Sequence, residues 1–335
     1  MQSLRIHGKL DMQLEEISLP ELKAHEVRIK VSFVGICGSD LHYYYEGANG
    51  AYVVKEPLTP GHELSGVVDM DPQGILQVGT KVTVHPAKFG ESKPGLENAK
   101  HLRPGGSYLG SASTTPHTQG AMSEYINLDR SMLRVLPESL SLQDAALAEP
   151  LAVGLHAINI AGGVKNKKVL VSGSGPIGLL AIAAAKLGGA VEIIATDVLQ
   201  GPLDRARELG VTGTIRIGAD TLPDEYFDVV LECSGAPRAI SSAIKSSKRL
   251  GVIVQVGMLM AGEHPIDLAP LISKEVQLRG TFRFNDEIDD AILLLEANSW
   301  IGKVITHTFE IKNALAGFEV AKNSQESGKV LISFE

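Results

Sequence analysis

Over the first 136 residues, apolar and polar positions alternate in short stretches, as at 26–33 and 64–68, with many Gly and Pro and little helical periodicity. That pattern predicts a mostly β domain. From residue 168 onward the pattern changes. Lys168-Val169-Leu170-Val171 predicts a short buried strand, Gly173-Ser174-Gly175-Pro176-Ile177-Gly178 a glycine turn, and the apolar, alanine-rich stretch 179–187 a helix. Another strand is predicted at 191–196, and β-branched runs at 227–232 and 251–256 lead into the small-residue segments Cys233-Ser234-Gly235 and Gly257-Met258. Strands and helices alternating in this way build a doubly wound parallel sheet. A helical stretch at 287–295 and a closing strand at 329–334 end the chain. With 335 residues, two domains are expected, with the functional site in the cleft between them.

The glycine turn carries the first chemical expectation. Gly173 permits a tight turn, Gly175 lets backbone approach a pyrophosphate, and Gly178 lets the helix pack close to the strand, while the helix N-terminus through Pro176 and Ile177 faces the phosphate charge. Asp197 follows at the end of the next strand, about 20 residues on, where a carboxylate accepts hydrogen bonds from the adenosine ribose hydroxyls of NAD. It repels a 2′-phosphate, and no Arg or Lys occurs at 198–204, so NAD is favoured over NADP. Arg205 and Arg207 lie further along and weaken that discrimination. Val256 ends a strand at the edge where a dinucleotide lies in such a sheet. Cys233 has no partner pointing to a metal or disulfide and reads as a buried structural thiol.

A second constellation lies in the β-rich part. Cys37, opening Cys37-Gly38-Ser39-Asp40-Leu41-His42, is one of only two cysteines, and Gly61-His62-Glu63 and Glu149-Pro150 follow. A thiolate, an imidazole and two carboxylates from separated segments can hold a catalytic zinc while leaving a position open. Structural zinc sites are closed by four ligands, usually with Cys-x2-Cys pairs, and no such pair occurs here. Gly35 and Gly38 flank the cysteine in a turn-like run.

Composition narrows the partners. A net charge of −8 with no basic stripe disfavours nucleic acid and anionic membranes. The N-terminus lacks the apolar core of a signal peptide, no apolar stretch is long enough to span a bilayer, and two cysteines provide no disulfide framework, all of which fits a cytoplasmic protein.

The order Cys37, Gly-His62-Glu63, Glu149-Pro150-Leu151, Gly173-x-Gly175-Pro-x-Gly178 and Asp197 resembles the zinc-containing medium-chain alcohol and polyol dehydrogenases across nearly the whole chain. Gly-Ile-Cys37-Gly-Ser39-Asp40-Leu-His42-Tyr43-Tyr44, Ala-Glu149-Pro-Leu-Ala-Val, Val-Gln-Val-Gly257-Met and Arg279-Gly-Thr-Phe-Arg283-Phe284 are most similar to the branch acting on L-idonate, with the sorbitol branch next. The resemblance implies an α/β architecture: a GroES-like, mostly β catalytic domain at 1–150, a Rossmann NAD-binding domain at 151–283 and a C-terminal return at 284–335. It implies zinc at Cys37, His62 and Glu63, with Glu149 binding it directly or through water. Asp40 would orient His62, and Ser39 with His42 would relay a proton from the alcohol to solvent.

For the substrate, a sugar acid or polyol, the resemblance brings in Arg283, which would hold a hydroxyl or a carboxylate, and Tyr43 crowds beside His42; ordinary packing is the alternative for the tyrosine, and pairing with an acid across the cleft the alternative for Arg283. Lys329 matches a position that reaches the cofactor pyrophosphate, or is a solvated surface lysine. The family's structural zinc lobe has four close cysteines, but residues 85–108 have none, so one catalytic zinc per chain is expected, in a homo-oligomer, dimer or tetramer. Two other classes stay open: a metal-free reductase of quinones or enones, separated by metal analysis, and a non-catalytic NAD-binding protein, separated by turnover.

Overall fold

The computed structural model describes all 335 residues, Met1–Glu335. Its packing divides the chain into two units: Met1–Glu149 with Ile288–Lys322 and Lys329–Glu335, and Pro150–Glu287 with Asn323–Gly328. The short 323–328 excursion into the second unit is not announced by any sequence pattern. No helix is long and apolar enough to cross a membrane.

The first unit is organised by the strand Glu26–Gly35, whose alternation buries Val27, Ile29 and Val31 and whose last residues are buried on both faces. It runs antiparallel to Glu63–Met70 along most of its length, to Tyr125–Asp129 over its first half, and to the C-terminal strand Lys329–Ser333 at Phe33–Gly35. Lys81–Val84 and Leu133–Val135 extend the sheet on one side and Ile305–Glu310 on the other. Val34, Leu64, Val68, Met122 and Val330 meet in one core, each such side chain contributing about 1.5–3 kcal/mol on burial. The run around Cys37, expected as a turn, is instead the start of a helix, Gly38–Glu46, whose buried face is Asp40, Tyr43 and Tyr44. Residues 85–108 are closed at their base by pairing of Ala87–Lys88 with Ser107–Tyr108. Backbone packs on backbone there: a Cβ on Gly90 would lie 1.9 Å from the Pro104 carbonyl oxygen.

The second unit is a six-stranded parallel sheet in the order Gly213–Arg216, Glu192–Asp197, Lys168–Ser172, Phe227–Glu232, Ser247–Gln255, Gln277–Gly280. The four inner strands follow the apolar runs. The two edge strands lack such runs, Gly213–Arg216 being half-buried and Gln277–Gly280 mostly exposed, which is why periodicity misses them. Successive strands move outward from Lys168–Ser172 in one direction, then resume at Phe227–Glu232 on its other side. This reversal opens a crevice at the carboxyl ends of the central strands. The helix Pro176–Leu187 sits hard against its strand, because a Cβ on Gly178 would come within 1.9 Å of the Gly173 carbonyl oxygen.

Gly178→Ala therefore forces the helix off the turn. The expected loss is about 1–3 kcal/mol, as for other overpacked sites, read as a lower midpoint in urea unfolding. An unchanged midpoint would show that the helix backs away without cost.

Candidate functional site

Cys37 immediately precedes the helix Gly38–Glu46, while His62 and Glu63 arrive at the start of the strand Glu63–Met70. Two glycines make the approach possible. A Cβ on Gly35 would lie 2.0 Å from Glu63 Oε2, and Gly61 holds φ +95° with Val34 and Met122 packed where its Cβ would be. The donor atoms of Cys37, His62 and Glu63 consequently lie within 4.8 Å of one another. His62 and Glu63 are buried and Cys37 is partly exposed.

Charge dominates this cluster. Burial opposes a proton on His62, yet Cys37, by charge and by hydrogen bond, followed by Glu149 and Asp40, raises its pKa to about 10. Burial raises the pKa of Glu149; His62 opposes the shift, Glu63 adds to it, and Tyr108 Oη donates to Glu149 Oε1 at 2.6 Å. Lys329 Nζ donates to Glu63 Oε1 at 2.7 Å and to the Ile36 carbonyl at 3.1 Å. Burial opposes its charge, but Glu63 and Cys37 outweigh that and its pKa is raised. Nζ is also 2.7 Å from Glu63 Oε2, but out of line, so that this buried oxygen has no hydrogen bond. An orphaned carboxylate oxygen beside a thiol and an imidazole, in a pocket that holds a proton on histidine to about pH 10, fits a divalent cation. One sulfur, one nitrogen and one oxygen donor suit zinc.

The remaining residues divide. Glu149 lies outside the three-residue cluster but interacts with it by charge. Asp40, fully buried, accepts from Cys37 N at 2.9 Å and Gly61 N at 3.1 Å, so it ties the two donor segments through their backbones and reaches His62 by charge alone. Ser39 sits partly buried in the first helical turn, and His42, on the exposed side, is braced by Glu46 at 3.1 Å. Tyr43 is a correction: it is a core residue whose hydroxyl accepts from Ala112 N at 3.0 Å, so packing accounts for it. Lys329 is another. It is neither solvated nor directed to a pyrophosphate, because its amine compensates Glu63 in the core of the first unit. Tyr108, which sequence reasoning missed, packs its ring against His62 and bonds Glu149; nothing in its neighbourhood in sequence signals this.

In the second unit, Gly173 adopts φ +89° and the space a Cβ would take on Gly175 is open, so backbone is presented there without a side chain in front of it. Pro176 and Ile177 begin the helix. Asp197 Oδ2 accepts from Ser174 N and Oδ1 from Leu199 N, both at 3.0 Å, which holds the carboxylate beside the glycine turn. Arg205 is turned to the carbonyls of Ser324 and Gln325, and Arg207 to Asp204 and Thr214. Arg216, which no sequence pattern marks, is the register partner of Asp197 on the edge strand, and its Nε donates to the Val198 carbonyl at 3.4 Å. Val256 N donates to the Glu232 carbonyl. Arg283 has φ +52° and its guanidinium lies 4.7 Å from the Phe282 ring centre.

Residues 23–138 match the alcohol dehydrogenase GroES-like domain family and residues 176–297 the zinc-binding dehydrogenase family. The chain is 34% identical to sorbitol dehydrogenase of Bos taurus over 96% of this chain and 92% of that protein. It is 33% identical to L-idonate 5-dehydrogenase (NAD(P)(+)) of Escherichia coli (strain K12), over 93% and 91% respectively. Among solved structures, L-idonate 5-dehydrogenase from E. coli superposes with a TM-score of 0.94 at 31% identity, covering 99% of this chain and 98% of that one.

Metal binding should compete with protons. Zinc displaces the proton that His62 retains up to about pH 10, so affinity is expected to rise with pH from 6 to 9 with about one to two protons released per ion, measured by calorimetry in buffers of different ionisation enthalpy. Cys37→Ser should lower the zinc content found by elemental analysis while leaving dinucleotide binding largely intact. A wild type without zinc, or affinity independent of pH, would place the metal elsewhere.

Proposed function

Because the chain belongs to the zinc-dependent medium-chain alcohol and polyol dehydrogenases, we propose that it oxidises a secondary alcohol of a sugar acid or polyol, with L-idonate to 5-keto-D-gluconate as the preferred reaction. The observation that carries this reading is the cluster of partly exposed Cys37 with buried His62 and Glu63, one oxygen of which has no hydrogen bond, in the same chain as the glycine turn and Asp197. The likeness in fold to an L-idonate 5-dehydrogenase supports the sugar acid, and the identity with sorbitol dehydrogenases supports a second reading, a sorbitol- or xylitol-type polyol.

Held at Cys37, His62 and Glu63, zinc supplies a Lewis acid for the substrate hydroxyl, and NAD supplies a hydride acceptor. The chain's own residues do the rest. Asp40 keeps the Cys37 and Gly61 backbones in register, so the donor atoms converge without a search. Lys329 neutralises Glu63, its amine 2.7 Å from each carboxylate oxygen and hydrogen-bonded to Oε1 alone. Glu149, aimed by Tyr108, holds further negative charge against His62 and orders a water or the ion itself. Ser39 receives the hydroxyl proton and His42, one turn further on the same helix and open to solvent, passes it out. Asp197, fixed by Ser174 N and Leu199 N, accepts from the ribose hydroxyls and repels a 2′-phosphate. Arg216 beside it moderates that repulsion, so NAD is preferred and NADP accepted.

Asp197→Ala is expected to narrow the advantage of NAD over NADP in kcat/KM by about tenfold, since ribose hydrogen bonds and phosphate repulsion disappear together. A wild type equally efficient with both cofactors would remove this role from Asp197.

The substrate is tested by NADH formation with L-idonate, D-gluconate, sorbitol, xylitol and simple alcohols. If Arg283 reads a carboxylate, Arg283→Ala raises KM for L-idonate far more than for sorbitol, a loss of about 2–3 kcal/mol against less for a neutral hydroxyl. Equal losses would make Arg283 a support for the site, and an outright preference for sorbitol would favour the polyol reading.

A further inference from the structure

Glu232 ends the strand Phe227–Glu232 at 0% exposure, and no step derived above uses it. Its carboxylate meets five donor groups. Oε1 accepts from Ser234 N at 3.0 Å, from Ser234 Oγ and from Ser172 Oγ at 3.4 Å; Oε2 accepts from Gly235 N at 2.9 Å and Gln255 Nε2 at 2.6 Å. The same Gln255 Nε2 donates to the Gly257 carbonyl at 2.8 Å, and the Glu232 carbonyl accepts from Val256 N and Gly257 N. One residue thus stitches together the loops that follow two neighbouring strands.

Those loops pack backbone against backbone. A Cβ on Gly235 would lie 2.3 Å from the Met258 carbonyl oxygen, one on Gly257 2.3 Å from Gly235 N, and one on Gly173 2.9 Å from Ser234 N. The glycine turn and both loops form a closely packed layer with little room to absorb a shift. Strand order then assigns the layer a part in binding. Asp197 and the glycine turn end the strands on one side of the reversal, where the adenosine and pyrophosphate lie, and a dinucleotide running along the carboxyl ends continues over the loops after Phe227–Glu232 and Ser247–Gln255.

We propose that Glu232 is a positioning residue for the nicotinamide half of the cofactor: its carboxylate fixes the 233–235 and 256–258 loops against the glycine turn and so shapes the surface on which that half rests. The proposal depends on the dinucleotide reading given above. A carboxylate is required because every partner donates; an amide in its place would turn an NH2 group against N–H groups.

The test compares two ligands on the zinc-loaded protein: NADH, and ADP-ribose, which lacks the nicotinamide. Glu232→Gln should raise the Kd of NADH at least about tenfold while changing that of ADP-ribose less than about twofold, in calorimetric titrations. Gln255→Met removes one donor and keeps the bulk, and should show the same split at about threefold; it decides the matter if Glu232→Gln does not fold. Equal weakening of both ligands, or of neither, in the folded variant overturns the proposal and leaves the dinucleotide reading standing. A wild type that binds neither ligand overturns both.

Discussion

The first unit is governed by the need to keep a carboxylate in a place water does not reach. Glu63 has no exposure, and a buried ion costs several kcal/mol unless it is paired. Lys329 provides the pairing, 266 residues away in sequence, and can do so only because the C-terminal strand Lys329–Ser333 inserts beside Glu26–Gly35. Ile36 N bonding to the Val330 carbonyl, just before Cys37, joins the same return to the thiol. The closing strand is therefore as much a part of the metal-competent cluster as the donors themselves, and the chain returns to the first unit to supply it.

One lysine does not balance the site. Burial works against a charge on His62, but Cys37, Glu149 and Asp40 act on it together, and it takes up the deficit by keeping its proton to about pH 10. A proton and a divalent cation compete for that role, and the cation answers the orphaned Glu63 oxygen as well. Tyr108 links the segment 85–108 to this balance by bonding Glu149, so a lobe without cysteines still contributes a group to the centre. The second unit solves a different problem. Its crevice is lined by backbone, and glycines at 173, 235 and 257 bring three loops together more closely than side chains would allow, with one acceptor-only group tying them.

The apolar runs at 168–171, 227–232 and 251–256 were legible because strands buried on both faces have to be continuously apolar, and the glycine turn because its conformation excludes other residues. Cys37, His62 and Glu63 were legible as a group because metal-donor chemistry is rare enough to stand out, and their side chains do meet. Edge strands such as Gly213–Arg216 were not legible, since a half-exposed strand carries no continuous apolar signal. Nor was the helix after Cys37, where Gly35 and Gly38 read locally as a turn and the buried face of Asp40, Tyr43 and Tyr44 is decided by packing.

Side-chain partners belong wholly to the tertiary structure. Lys329 looked like a surface or cofactor lysine, Tyr43 like a substrate contact and Tyr108 like nothing at all, because what a polar group does is set by the group opposite it, often more than forty residues away. The residues alone determined which chemistry the chain can hold, through donor types and through glycines at a tight turn and a close helix approach. Only folding decided which charges meet, because burial is what makes an unpaired charge costly enough to select its partner.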